Sequence, residues 1–99
     1  MTDYQVIDNK ELSRFEIHKD GHVAFENYRL FDGGIAYTYT EVPEALGGQG
    51  IAAYLVKHIL DDAAAKGLKV DPVCPYVRKY IDKHPEYQAN TVNYSAPSE

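Results

Sequence analysis

Between Val42 and Ile51 the hydrophobic pattern of this sequence changes from the alternation of a strand to the spacing of a helix, and Gly47-Gly48-Gln49-Gly50 carries the change. That switch divides the chain into a β half and an α half. Upstream, Phe15 and Ile17 alternate with Arg14, Glu16 and His18, and Asp20-Gly21 supplies the left-handed positions of a tight hairpin. Val23 and Phe25 resume the alternation, but Tyr28 and Leu30 fall on the opposite parity, so a bulge or strong local twist is predicted near Asn27. Asp32-Gly33-Gly34 makes a second turn. Ile35 to Val42 follows, with Ile35, Tyr37 and Tyr39 on one face and Ala36, Thr38, Thr40 and Val42 on the other. The expectation is an antiparallel three-stranded meander, ended at Pro43, which has no N–H to give a ladder.

Downstream, Ala52, Leu55, Val56, Ile59, Leu60 and Ala63 recur at helical spacing while Lys57, Asp61 and Asp62 lie off that stripe. Gly67 stops the helix. Lys69-Val70-Asp71-Pro72 reads as a short strand, and strand, helix and strand in this order imply a right-handed crossover with the strands parallel. Val73 to Lys83 reads as a second helix with Val77, Tyr80 and Ile81 as its apolar stripe, closed by His84-Pro85. The predicted class is α+β: meander, crossover helix, short parallel strand and C-terminal helix. Residues 1–87 form one domain, and the polar, aperiodic residues 88–99 read as a flexible tail.

Ninety-nine residues, 44% hydrophobic and 25% charged, suit one small globular domain. A net charge of −5 excludes the basic stripe that a nucleic-acid surface requires. No apolar run approaches the roughly 20 residues that cross a bilayer. Met1-Thr2-Asp3-Tyr4-Gln5 has neither the basic nor the apolar region of a signal peptide. With a single cysteine fitting a reducing compartment, the expectation is a cytoplasmic protein without nucleic-acid or membrane partners.

Glycines entering a helix let the backbone approach an anion closely, and the unpaired amides of the first helical turn face it. The alternative is a plain flexible loop. The connector is not a Walker A loop, because no Lys-Ser or Lys-Thr follows the last glycine. It is not a Rossmann fingerprint either, because it follows an antiparallel meander.

Thr40-Glu41-Val42-Pro43, Gly48-Gln49-Gly50-Ile51-Ala52, Pro72-Val73-Cys74-Pro75 and His84-Pro85-Glu86-Tyr87 occur in that order. Together they resemble the small single-domain proteins of the GNAT N-acetyltransferase superfamily, over about Phe15 to Tyr87. The resemblance implies acetyl-CoA as cosubstrate and transfer of its acetyl group to an amine, a small molecule or a protein. It also leaves a non-catalytic CoA-binding or interaction module as the alternative. The implied pyrophosphate cradle is the backbone of Gly48, Gln49, Gly50, Ile51, Ala52 and Ala53, with the pantetheine arm pairing near Val42 and the thioester between splayed strands that end near Val42 and Pro72. Gly47 departs from the pattern, standing where Gln or Arg is usual. The extra elements that build an acceptor pocket in longer GNAT enzymes have no counterpart in this sequence.

Acetyl transfer needs a neutral amine, a place for the developing oxyanion and a proton for the departing thiolate. Tyr80 matches, one residue out of register, the helix tyrosine that serves as general acid in many GNAT enzymes; its other reading is a core aromatic. Glu41 adjoins the cleft as an acceptor for the amine proton, or is an exposed carboxylate at a strand end. Cys74 begins a helix near the expected thioester. It either lines the cleft, with the amine attacking directly, or is a nucleophile in a covalent route. Direct attack is what the resemblance implies. Arg78 and Lys79 are candidates for the CoA 3′-phosphate. None of His18, His22, His58 and His84 makes a metal-ligand spacing with Cys74, so no metal is expected.

Overall fold

The computed structural model describes residues 3–97. Five strands form one sheet in sequence order: β1 (Ile7–Asn9), β2 (Arg14–Lys19), β3 (His22–Phe31), β4 (Gly34–Glu41) and β5 (Lys69–Pro72). Neighbours β1 to β4 run antiparallel, and β5 pairs parallel with β4 from Gly34↔Lys69 to Tyr37↔Pro72. Helix α1 (Ile51–Ala65) makes the crossover, and α2 (Pro75–Lys83) follows β5. The α+β class, the three-stranded meander, the crossover helix and the short parallel strand are as the sequence predicts. β1 is an addition, three residues long and too short for an alternation to be read.

The core lies between α1 and one face of the sheet. Leu55, Val56, Ile59 and Leu60 of α1 pack with Phe15 and Ile17 of β2, Ala24 of β3, and Ile35 and Tyr37 of β4. Tyr37, fully buried, donates its hydroxyl to the carbonyl of Ile59 at 2.7 Å, tying β4 to the middle of α1. Val77 and Ile81 of α2 complete the cluster.

The predicted irregularity near Asn27 is present, but its extra residue sits on the facing strand. Asn27 faces Tyr39 while Tyr28 faces Tyr37, so Thr38 of β4 has no counterpart on β3. β3 keeps one parity throughout, with Ala24 and Glu26 buried inward and Val23 and Phe25 on the outer face. The apparent phase slip came from reading Val23 and Phe25 as core. In β4 the extra residue reverses parity, so Tyr39 turns outward, 51% exposed, instead of joining Ile35 and Tyr37.

Residues 88–97 hold more structure than a flexible tail, and residues 98 and 99 lie outside the described residues. Pro85–Asn90 is a 3-10 helix, Thr91 bridges Val70, and the Val92 amide donates to the Val70 carbonyl at 2.9 Å. Asn93 reaches Asp71 and Tyr94 reaches Asp82 through side-chain hydrogen bonds of 3.0 and 2.7 Å. The segment thus covers the free edge of β5, a position that otherwise presents unpaired backbone groups. Among the described residues no helix is long and apolar enough to cross a membrane.

Candidate functional site

The carboxyl ends of β4 and β5 part in front of the N-terminus of α1, the position at which ligands bind to parallel strand pairs. The last bond before they part runs from the amide of Cys74 to the carbonyl of Tyr37, 2.8 Å. Beyond it, β4 continues to Glu41 with no β5 residue beside it. A 3-10 turn, Glu44–Leu46, anchored by buried Leu46, then carries the chain to the glycine connector.

Gly48 and Gly50 both adopt left-handed backbone conformations, φ +77° and +71°, which L side chains rarely take. Gly50 is the N-cap of α1, and no side chain caps the helix. The first helical bond runs from the Tyr54 amide to the Gly50 carbonyl, so the amides of Ile51, Ala52 and Ala53 precede the ladder. An added Cβ at Gly48 or Gly50 would meet nothing within 4 Å, so the space over the turn is open. Amides without helical acceptors under open space fit an anionic group such as a pyrophosphate. From the N-terminal side, Tyr4 donates its hydroxyl to the Gln49 carbonyl at 2.9 Å and sets its ring edge-on to Tyr54. Val42 is half-buried against the core between fork and connector.

At the fork the structure assembles a chain that the sequence reading missed. Thr40 donates to Oε1 of Glu26, and its Oγ1 lies 3.0 Å from the Sγ of Cys74. Glu26 is fully buried and Cys74 is 2% exposed. Burial pushes the Glu26 carboxyl up to about 7 against the lowering effect of its bonds to Thr40 and the Tyr39 backbone and of the nearby Cys74 thiol. The second carboxyl oxygen, Oε2, has no hydrogen-bond partner among the described residues. A signal for Glu26 was present: phased on Ala24 and Tyr28, β3 has a glutamate at a core position.

The other candidates lie elsewhere. Glu41 is on the outer face of β4, opposite Phe25, and accepts the Tyr39 hydroxyl. Tyr80 stacks on His84, ring centres 3.9 Å apart, and tilts against Tyr87. Burial raises its phenol, and the charges that act on it most are Lys57, Glu86 and Asp61, none of which belongs to the fork. Arg78 donates to the Pro72 carbonyl at 3.0 Å, and Lys79 lines a shallow pocket of about 160 Å³ with Tyr76, Tyr80, Lys83 and His84. A larger cavity of about 660 Å³ lies at the far end of α1, between Asp62, Lys66, Tyr28 and Leu30, and its lining includes no residue of the connector and neither Thr40 nor Cys74. Among the described residues no group of three or more His, Cys, Asp or Glu side chains is placed to hold a metal ion.

The sequence profile of the family described as GCN5-related N-acetyl-transferase matches residues 14–90. Protein NATD1 of Gallus gallus is 43% identical over 47 residues, 48% of this chain and 43% of that protein. Protein NATD1 of Homo sapiens is also 43% identical over 47 residues, 48% of this chain and 42% of that protein. The matched stretch thus spans less than half the length of these relatives. A GCN5-like protein of Staphylococcus aureus, solved by NMR, superimposes with a TM-score of 0.71 at 26% identity, covering 96% of this chain and 94% of that one. With the profile match running from the first residue of β2 to the end of the last 3-10 helix, and a related structure sharing nearly the whole fold, the chain belongs to the GCN5-related N-acetyltransferase family.

Proposed function

We propose that this protein transfers the acetyl group of acetyl-CoA to an amine. The observation that carries the reading is the coincidence of two openings at one end of the sheet. The β4–β5 pair parts after Tyr37 and Pro72, and the uncapped, glycine-entered N-terminus of α1 faces the same end. The pyrophosphate would take the backbone amides from Gln49 to Ala53, where the dipole of a 15-residue helix adds ~0.3–1 kcal/mol per charge. The pantetheine arm would run from Val42 along the unpaired edge of β4, bringing the thioester to the fork beside Cys74. A neutral amine then attacks the carbonyl carbon directly. Glu41 is half-buried on the outer face at the end of β4, so the proton the amine releases would pass to solvent. The setting is a reducing one, such as the cytoplasm, where a free thiol persists.

Mass spectrometry of the protein incubated with acetyl-CoA and a pooled set of primary amines tests the reading. An acetylated amine with an equal amount of CoA is the expected product. Acetyl-CoA and CoA should also each raise the melting temperature by binding the folded state. Binding without product would leave a CoA-binding module. Neither binding nor product near millimolar ligand would remove the functional content of the family relationship.

A further inference from the structure

Glu26 is an anomaly on the packed face of the sheet. In register it lies beside Phe15 of β2 and Thr40 of β4, among residues that are otherwise apolar or hydroxylic. No lysine, arginine or histidine accompanies it; the titratable groups that face it are Tyr37 of β4 and Cys74 at the head of α2, and no charged group of α1 is among those that shift it. One of its oxygens is buried with no partner among the described residues, which disfavours the charged form. The other is linked through a single hydroxyl to the only thiol in the chain. Such a chain has two polarities. With Glu26 protonated, every bond can point outward to Cys74; with Glu26 ionised, every bond points inward.

We propose that Glu26, Thr40 and Cys74 form a proton relay that delivers a proton to the CoA sulfur as it leaves the acetyl group, Cys74 being the donor that touches that sulfur. The proposal rests on the acetyl-transfer reading above and extends it to the fate of the leaving group. The amine nitrogen forms the bond to the thioester carbonyl carbon, and the carbon–sulfur bond breaks. The departing thiolate takes the proton of Cys74 Sγ; Sγ takes one from Thr40 Oγ1, which takes one from Glu26. The proton lost by the amine goes to solvent, and once CoA has left, a proton from solvent returns to Glu26 back along Cys74 and Thr40, so the cycle closes as acetyl-CoA plus amine giving amide plus CoA. Cys74 is the catalytic residue here. Thr40 and Glu26 act through it. A carboxyl raised by burial to about 7 exchanges its proton near neutral pH, as a donor at the head of a relay requires.

The test uses the full chain with carbon-13 label in cysteine Cβ and in glutamate carboxyls, followed by NMR across pH. The Cys74 resonance should show a step at the pH where Glu26 titrates, near 7. Thr40→Val and Glu26→Gln should remove the step, and Thr40→Ser, which keeps a hydroxyl, should retain it even if the valine variant folds poorly. In turnover of acetyl-CoA with the pooled primary amines, the wild type should show a falling limb above about pH 7. The amine's own deprotonation raises the rate with pH and cannot produce that limb. Glu26→Gln should abolish the limb, and Cys74→Ala should slow turnover ~10²–10⁴-fold, the usual contribution of a general acid. A Cys74 resonance blind to Glu26, with CoA bound, overturns the relay alone. An observed step in a protein that binds no CoA overturns the acetyl-transfer reading and with it the proton's destination. Acetyl-cysteine accumulating when amine is withheld makes Cys74 a nucleophile and overturns its role as donor. So does a Tyr80→Phe protein as impaired as Cys74→Ala.

Discussion

Cys74 donates its amide to the carbonyl of Tyr37 across 2.8 Å, and the next residue of β4, Thr38, is the one with no counterpart on β3. The parting of β4 from β5 and the break in the β3–β4 register therefore occur together. The consequence is chemical. Because a strand alternates faces, the extra residue turns Tyr39 outward and Thr40 inward, and only an inward Thr40 can bond Glu26 and Cys74. Pro75 at the first turn of α2 and the Arg78 amide on the Cys74 carbonyl hold the thiol at the helix entrance.

The parallel pair itself depends on a close approach at its other end. A Cβ placed on Gly34 would meet the carbonyl oxygen of Lys69 at 2.7 Å as well as the ring of Phe31. The ring can swing away, but the carbonyl cannot move without separating β4 from β5 at the Gly34↔Lys69 pair. Gly34→Ala should cost ~1–3 kcal/mol, the usual penalty for overpacking. In a chain of this size that lowers the melting temperature by about 4–8 °C per kcal/mol. An unchanged melting temperature would show that the strands can part without cost.

Two buried carboxyls should tilt the pH dependence of stability in opposite directions. Burial alone would raise Glu16, but hydrogen bonds from His18, Arg14 and Asn9 outweigh it and hold the group at about 2, against an unfolded value of 4.5. Its contribution is complete above pH 4.5 and is lost as pH falls toward 2. Glu26, raised from 4.5 to about 7, binds its proton more tightly in the folded state, so stability should decline as pH rises through that window. Thermal unfolding from pH 2 to 8 should show Glu16→Gln flattening the acid side and Glu26→Gln flattening the fall between pH 4.5 and 7. Profiles parallel to wild type in both variants would contradict the assignment.

Tyr4 connects the start of the described chain to the connector. Tyr4→Phe keeps the ring against Tyr54 and removes the hydroxyl that holds the Gln49 carbonyl. The bond is exposed, so its loss should cost about 0.5–1 kcal/mol, at the low end for hydrogen bonds. If that bond fixes the connector in its anion-binding shape, the cost appears in CoA affinity as a loss of roughly 2–5-fold. Calorimetry of CoA binding decides it: an affinity equal to wild type would mean that Tyr4 does not shape the connector.

The fold was legible where a local pattern matched its environment. Leu55, Val56, Ile59 and Leu60 are at helical spacing and face the sheet, and Lys69–Pro72 is the strand that its position after Gly67 implies. Phasing failed where a polar residue faces inward. Glu26 has no signature in composition, so the alternation through Val23 and Phe25 hides the inward face of β3, although the parity change marks the register break near Asn27. The two left-handed positions before α1 were legible because glycine is favoured where φ is positive, as at Gly48 and Gly50. The relay was not, because Glu26, Thr40 and Cys74 come from three elements and meet only through the parity reversal at Thr38.

Gly50 provides the most direct test of the cradle. Its φ of +71° lies in the left-handed region, where a branched side chain is strained but asparagine is tolerated. The protein leaves room for any Cβ there, since none of its own atoms lies within 4 Å, so the cost to the fold is conformational. Gly50→Asn should melt close to wild type, whereas Gly50→Val should lose ~1–2 kcal/mol from the left-handed backbone alone. Both side chains would stand in the open space over the turn, where the pyrophosphate is proposed to lie. Both variants should therefore bind CoA at least about tenfold more weakly, a loss of ~1.4 kcal/mol. The pair separates the two readouts, because only Gly50→Asn weakens binding without disturbing stability. A Gly50→Asn protein that melts and binds CoA like wild type would place the cofactor away from this turn.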